Sequence, residues 1–139
     1  MTDKELQQKE PKINILYVDD ESDLLMIAKI FLERTGTYRV DTLTSAKKAL
    51  ESSLLHTYDA IVSDFLMPGM DGISFLERLR AIEFESGIVL GDGVPVIMIT
   101  AYEKPFLTAF NKGCDDYLLK PVDPDELIKR IQSHLRSDR

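Results

Sequence analysis

Apolar residues are concentrated in short blocks along this chain. Four runs are largely apolar, at 13–18, 60–62, 94–99 and 117–119, and a fifth run at 38–43 also reads as a short strand. Runs this short and this apolar are typical of strands that are buried on both faces of a sheet. Between the runs, apolar residues recur every three or four positions, as in amphipathic helices. The pattern therefore predicts strand then helix, five times over, which is a doubly wound α/β fold with a five-stranded parallel sheet and helices on both faces.

Polar residues that favour helix ends mark where the predicted helices begin. The expected N-caps are Ser22 or Asp23, Thr44 or Ser45, and Asp123, and Pro105 is expected to open the fourth helix. Helical spacing places two sets of residues on buried helix faces: Leu24, Leu25, Ala28, Phe31 and Leu32 in the first helix, and Ile73, Phe75, Leu76, Leu79 and Ile82 in the third.

Composition narrows the class of protein. A chain of 139 residues is long enough for one domain with a proper core, which we expect at 12–139 after a polar lead-in at 1–11. Its net charge of -7 argues against binding nucleic acid through this domain. No apolar run approaches the roughly 20 residues that cross a bilayer, so no membrane contact is expected. Cys114 is the only cysteine, which suits the reducing cytoplasm.

Charged and hydroxyl side chains stand at the carboxyl ends of four predicted strands. Asp19 and Asp20 follow the first strand, Asp64 ends the third, Thr100 ends the fourth and Lys120 follows the fifth. The carboxyl ends of parallel strands meet at one edge of a sheet, so these side chains are expected in one crevice. Carboxylates held close together repel one another, and a hard cation such as Mg²⁺ removes that conflict. The crevice could then hold a phosphoryl group, with an aspartate as the nucleophile that forms an acyl phosphate.

Five sequence blocks resemble the response-regulator receiver domains of two-component signalling. The blocks are Asp19-Asp20, Ser63-Asp64, 67–72, 99–101 and 115–121, and the resemblance covers essentially the whole chain after Lys12. It implies a flavodoxin-like strand order of 2-1-3-4-5.

The resemblance also implies a role for each matching residue. Asp64 would be the phosphoacceptor, Asp20 would bind Mg²⁺ directly, and Asp19 would bind it through water. The backbone carbonyl of Leu66 would be a further ligand beside the Asp64 carboxylate. Three residues would respond to the phosphoryl group: Thr100 and Lys120 would contact it, and Tyr117 would be an aromatic switch. The Lys120-Pro121 peptide bond would be cis.

For the whole domain, the resemblance implies a phosphoacceptor module rather than an enzyme, with at most slow self-dephosphorylation. A sensor histidine kinase or a histidine phosphotransfer protein would supply the phosphoryl group. A face formed by helix four, strand five and helix five would signal to an unknown downstream protein, and a homodimer through that face is possible.

Two spacings depart from the receiver pattern. Asp64 and Thr100 are 36 positions apart, more than is usual, so a longer third helix or a surface loop is expected within 83–93. Thr100 and Lys120 are 20 positions apart, slightly fewer than usual, so a short loop at 102–105 and a short fourth helix are expected. Leu66 and Tyr102 are bulky and offer no base that would orient water, which predicts slow loss of the phosphoryl group.

Two other functions compete with the signalling role. A magnesium-dependent phosphohydrolase of the haloacid-dehalogenase type also uses an Asp nucleophile, but its acidic pattern on strand one is Asp-x-Asp, whereas Asp19 and Asp20 are adjacent. A flavodoxin-like flavin binder would need hydroxyl and backbone donors after strand one, where this chain has three acidic residues. The remaining chemistry-bearing residues are expected to be structural: Cys114 in packing, and His56 and His134 at the surface.

Overall fold

A computed structural model describes residues 12–52, 57–89, 91–101 and 106–136, with backbone only at 106, 107 and 110. Within these ranges five strands alternate with five helices, as the apolar pattern predicts. The strands are Ile13–Val18 (β1), Tyr38–Leu43 (β2), Ala60–Asp64 (β3), Val96–Thr100 (β4) and Asp116–Leu119 (β5). The helices are Ser22–Arg34 (α1), Ala46–Glu51 (α2), Gly72–Glu85 (α3), Phe106–Asn111 (α4) and Pro124–His134 (α5).

All neighbouring strands of the sheet are parallel. The order is β2-β1-β3-β4-β5, which confirms the expected order. The register aligns Leu16 of β1 and Val96 of β4 with Ile61 of β3. The carboxyl ends of the five strands therefore lie at one edge of the sheet.

The core consists of two apolar clusters, one on each face of the sheet. One cluster joins Leu16, Ile61 and Met98 to residues of α2 and α3, among them Ala49, Phe75, Leu76 and Leu79. The other joins Ile15, Val62 and Ile97 to residues of α1 and α5, among them Leu25, Leu32, Leu127 and Ile131. Alternate strand residues thus face opposite layers, which explains why the central strands are apolar throughout. Cys114 is buried within the first cluster, as its packing role predicts.

Two residues that were placed on buried helix faces lie at the surface. Leu24 is 37% exposed and Ile82 is 38% exposed. Leu24 borders a cavity described below. The predicted helical spacing is correct in both helices, but the apolar face of each helix is wider than the part of it that is buried.

The start of α1 differs from the prediction. Its N-cap is Glu21, which makes no side-chain cap bond, so neither Ser22 nor Asp23 is the cap. The carboxylate of Asp19 accepts the Glu21 N–H at 2.9 Å, which turns the chain into the helix directly after β1. The Asp19 carboxylate therefore directs this turn through one oxygen and pairs with Lys120 through the other.

The other described caps are side-chain caps. Ser45 accepts the Lys48 N–H at 3.0 Å, and Asp123 accepts the Asp125 N–H at 3.0 Å, so both predictions are confirmed. Asp71, a cap that the sequence reading missed, accepts the Ser74 N–H at 2.8 Å at the start of α3. Pro105, the expected start of α4, lies outside the described residues.

The structure describes part of the expected departures in spacing, and the short loop expected at 102–105 lies outside the described residues. The third helix continues to Glu85, and an irregular segment then leads to β4, which begins at Val96 rather than at residue 94. The fourth helix has only 6 residues. His134, expected at the surface, is partly exposed, and its Nε2 lies 2.8 Å from Asp116 Oδ2. His56 lies outside the described residues.

Candidate metal and phosphoryl site

Three carboxylates meet at the carboxyl edge of the sheet. Asp19 follows β1 directly, Asp20 comes next, and Asp64 is the last residue of β3. One oxygen from each lies within 4.8 Å of the other two. Asp19 and Asp64 are buried, whereas Asp20 is exposed. The structure therefore brings together the three carboxylates that the strand ends predicted.

The ammonium group of Lys120 lies between the two buried carboxylates. Its Nζ is 3.2 Å from Asp64 Oδ2 and 3.4 Å from Asp19 Oδ2. The backbone N–H of Lys120 donates to the Thr100 carbonyl at 2.7 Å, which fixes the start of this loop against β4. The Lys120-Pro121 bond is cis, as expected. One ammonium facing three carboxylates leaves an excess of negative charge in the crevice.

This excess of charge is reflected in the pKa values of the crevice. Burial raises the pKa of Asp64, and the neighbouring Asp19 raises it further, while Lys120 and the Leu66 N–H partly offset both effects. Burial would lower the pKa of Lys120, yet Asp19 and Asp64 hold it above its ordinary value. Several oxygen donors with unbalanced negative charge fit a hard divalent cation such as Mg²⁺.

The backbone of Leu66 lies close to the Asp64 carboxylate. Its N–H donates to Asp64 Oδ1 at 3.4 Å, a long hydrogen bond that leaves this oxygen free to bind another group. The Leu66 side chain is 48% exposed at the mouth of the crevice. The role of its carbonyl as a metal ligand stays a prediction.

Thr100 and Tyr117 are in direct contact. Thr100 ends β4 and is 1% exposed, and its side chain is hydrogen-bonded to that of Tyr117 on the neighbouring strand. The Tyr117 ring also lies against Phe65, with centroids 6.3 Å apart and planes tilted by 60°. Phe65 follows Asp64 directly, so these contacts connect the acceptor loop to β5. The sequence reading missed Phe65, although an aromatic residue next to the candidate acceptor was a signal.

A mostly apolar cavity of about 470 Å³ adjoins the crevice. Asp19 and Lys120 border it on the crevice side, and Leu24, Ile27 and Phe31 of α1 border it elsewhere. The outer face of α1 is apolar as well, with Met26 63%, Ile27 58% and Ile30 52% exposed. The sequence reading missed this surface. The signal was that α1 carries more apolar residues than one buried face can hold.

The comparisons with known proteins agree with this geometry. The family model for the response regulator receiver domain matches residues 15–132. The transcriptional regulatory protein ResD of Bacillus subtilis is 34% identical over 124 residues, which are 88% of this chain and 48% of that protein. The chain thus spans about half the length of this curated relative.

Two solved structures show the same fold. The chemotaxis protein CheY4 of Vibrio cholerae has a TM-score of 0.75 and 28% identity, and the match covers 90% of this chain and 100% of that chain. The receiver domain of the sensor histidine kinase PA1611 of Pseudomonas aeruginosa has a TM-score of 0.72 and 29% identity, with 88% and 97% covered. That structure has a magnesium ion coordinated in its active-site cleft. No helix among the described residues of this chain is long and apolar enough to cross a membrane.

Proposed function

The chain belongs to the response regulator receiver family, and on that premise we propose that Asp64 is its phosphoacceptor. The observation that carries this proposal is the position of Asp64. It is buried at the end of the central strand β3, with Lys120 Nζ at 3.2 Å and two further carboxylates within 4.8 Å. The domain at 12–139 would be a cytoplasmic signalling module that is modified once per cycle rather than an enzyme that turns over substrate.

The chemistry is transfer of a phosphoryl group between two nucleophiles. A carboxylate oxygen of Asp64 attacks phosphorus, the bond from phosphorus to the donor nitrogen breaks, and an acyl phosphate forms on Asp64. Asp19, Asp20, Asp64 and the Leu66 carbonyl would hold Mg²⁺, which supplies positive charge that offsets the charge of the phosphoryl oxygens.

Lys120 and Thr100 would bind the new phosphoryl group. The ammonium of Lys120 would exchange its contact with Asp64 for a phosphoryl oxygen, and the Thr100 hydroxyl would donate to another oxygen. Because Thr100 is hydrogen-bonded to Tyr117, any shift of Thr100 changes the surroundings of Tyr117 on β5. This pair would link the modification to the face formed by α4, β5 and α5.

Acetyl phosphate tests the acceptor role without a partner protein. With Mg²⁺ present, the wild-type protein should gain the mass of one phosphoryl group, and Asp64→Asn should gain none. Asp92→Asn is the matched control, because Asp92 lies in an exposed segment away from the crevice. Labelling of Asp64→Asn to the wild-type level would refute the assignment, and release of many phosphates per chain would favour the phosphohydrolase.

The partner that donates the phosphoryl group must bring its phosphohistidine to Asp64. The exposed apolar face of α1 and the adjoining cavity lie directly beside the crevice, with Asp19 and Lys120 on their shared border. We infer that a helical segment of a sensor histidine kinase or phosphotransfer protein packs here, with an apolar side chain in the cavity. Continuity of the apolar surface with the reacting carboxylate favours this surface over the other exposed apolar residues.

The docking inference can be tested separately from the chemistry. Ile27→Asp should slow transfer from the most active of a panel of phosphorylated kinase domains by about tenfold or more, because it places a charge in an apolar contact. Acetyl phosphate should label Ile27→Asp to the same extent as it labels the wild-type protein. Val89→Asp is the control, since Val89 is equally exposed at 58% but lies in the segment that precedes β4. Equal transfer rates for Ile27→Asp and wild type would rule this surface out.

A further inference from the structure

Arg80 of α3 connects three separate segments of the chain. Its Nη1 donates to Glu83 Oε1 and to the Val94 carbonyl, both at 2.8 Å. Its Nε and Nη2 donate to the Gly113 carbonyl at 3.1 Å and 2.6 Å, and Nη2 also lies 3.0 Å from Asp115 Oδ2. The side chain is only 13% exposed, so water screens these contacts little.

Two of the three segments lead into strands, one into β4 and the other into β5. Val94 lies shortly before β4, and Gly113 and Asp115 lie between α4 and β5. Asp115 also pairs with β4 directly, because Asp115 Oδ2 accepts the Val96 N–H and the Asp115 N–H donates to the Val96 carbonyl, both at 2.8 Å. The amino ends of β4 and β5 are therefore joined to α3, whereas Thr100 is the last residue of β4 and Tyr117 is the second residue of β5.

Two glycines leave the space that this arrangement needs. At Gly113, which has a φ of +111°, a Cβ would lie 2.9 Å from Arg80 Nε. At Gly93 a Cβ would overlap the Glu83 carboxylate. Glu83 in turn accepts the Val94 N–H at 2.7 Å, so the residues that lead into β4 are attached at the same point.

A guanidinium group fixes the directions of its neighbours as well as their distances. Its planar fork directs the Val94 and Gly113 carbonyls to different nitrogens of one rigid group. A flexible ammonium presents a point charge and cannot impose that geometry. Arg80 is therefore suited to holding the two strand entries in a constant relation.

We propose that Arg80 is a positioning residue for the output of this receiver. Arg80 holds the residues that enter β4 and β5 against α3. A shift at Thr100 and Tyr117 therefore cannot slide β5 along β4, and it moves α4 within the face formed by α4, β5 and α5 instead. The entries act as the fixed end, and Thr100, Ala101 and α4 are the part that moves. This inference rests on the proposed phosphoacceptor function.

Amide hydrogen exchange, with and without beryllium fluoride and Mg²⁺ as a phosphoryl mimic, tests the proposal. In wild type the exchange rates should change in 100–101 and 106–111. The Asp115 and Val96 amides report on the fixed end through their hydrogen bonds, and their rates should stay within about twofold. In Arg80→Lys, which keeps a cation beside Glu83, the change should spread to both reporters. Arg78→Lys, the same substitution at an exposed position of α3, should behave as wild type.

The outcomes separate a positioning role from a purely structural one. If Arg80 has only a structural role, Arg80→Lys should have a lower melting temperature, but beryllium fluoride should change its exchange rates only in 100–101 and 106–111, as in wild type. That result overturns the proposal. A wild-type change at Asp115 as large as that in α4 overturns it without any variant, even if Arg80→Lys fails to fold. A wild-type protein that does not respond at all overturns the phosphoacceptor function and this inference with it.

Discussion

Lys120 sets the charge balance of the crevice. Asp19 and Asp64 are 3% and 6% exposed, and the Lys120 ammonium pairs with both. Removal of one partner from a buried ion pair costs more than the pair itself contributes, because the remaining charges stay desolvated. In this crevice two carboxylates would remain, and they repel each other.

Substitution Lys120→Met should therefore make the protein depend on metal for stability. Without Mg²⁺ its free energy of unfolding should fall by about 1–3 kcal/mol. Saturating Mg²⁺ should raise its melting temperature by more than it raises that of wild type, since more charge is left to offset. Thermal unfolding with and without Mg²⁺ measures both effects.

The matched control for that experiment is Lys112→Met. Lys112 pairs with Glu77 at 3.5 Å, but both side chains are about half exposed, and pairs of this kind contribute little. It should unfold as wild type does at every Mg²⁺ concentration. An equal response to Mg²⁺ in Lys120→Met and wild type would contradict the charge balance described above.

We expect Leu66 to affect how long a phosphoryl group on Asp64 persists. Its half-exposed side chain stands two residues after Asp64 and offers no group that could orient an attacking water molecule. Leu66→Asn should speed the decay of the phosphorylated protein, as should Tyr102→Glu, whose position lies outside the described residues. Decay of the phosphoprotein, followed by mass or by radiolabel, gives the rates. Unchanged decay in both variants would exclude shielding as the cause of a long lifetime.

The candidate site was predictable residue by residue because it depends on strand ends. A parallel sheet places Asp19, Asp64 and Lys120 at one edge whatever the details of packing. Phe65 and Ile27 were not predictable in the same way. The aromatic residue beside Asp64 and the apolar surplus of α1 were visible in the sequence, but the roles of Phe65 and Ile27 depend on which way a loop turns and on how much of α1 the sheet covers.

Among the secondary-structure elements, α1 and α3 differ in how they begin. Asp71 caps α3 through a hydrogen bond of 2.8 Å, whereas Glu21 precedes α1 without a side-chain cap bond. A cap of the Asp71 kind contributes about 1 kcal/mol. The start of α3 lies next to the acceptor loop, because the Gly72 N–H donates to the Phe65 carbonyl at 2.6 Å.

Substitution Asp71→Ala should therefore lower the free energy of unfolding by about 1 kcal/mol. Glu21→Ala, at the corresponding position of α1, should cause no loss, because its side chain caps nothing. Urea unfolding followed by circular dichroism measures both. A loss in Glu21→Ala as large as that in Asp71→Ala would show that the two caps are not distinguished by their hydrogen bonds.

The order and number of elements followed from the sequence, whereas several boundaries did not. The start of β4 moved from residue 94 to Val96 because Val94 instead bonds to Arg80 and Glu83 of α3. The N-cap of α1 moved from Ser22 or Asp23 to Glu21, because Asp19, which pairs with Lys120, accepts the Glu21 N–H. In both cases a tertiary contact decided between two locally acceptable ends, and such contacts are invisible to a reading of local spacing.

At the scale of the whole molecule, the net charge of -7 limits the partners. Binding to a nucleic acid backbone depends on cations that replace its counterions, and this chain has 17 basic residues against 24 acidic ones. The 139-residue chain should therefore leave the electrophoretic mobility of duplex DNA unchanged, even at low salt. Binding that weakens as salt rises would contradict this expectation.

The strand order also bears on how the chain can be made. Strand β2 lies on one side of β1, and every later strand adds to the other side in the order β3, β4, β5. Each strand that leaves the ribosome therefore finds its partner already synthesised. Domains generally fold as units. Because β5 is the last strand to be made, the sheet of this domain is complete, and Lys120 reaches the Asp19 and Asp64 carboxylates, only after the other four strands have been synthesised.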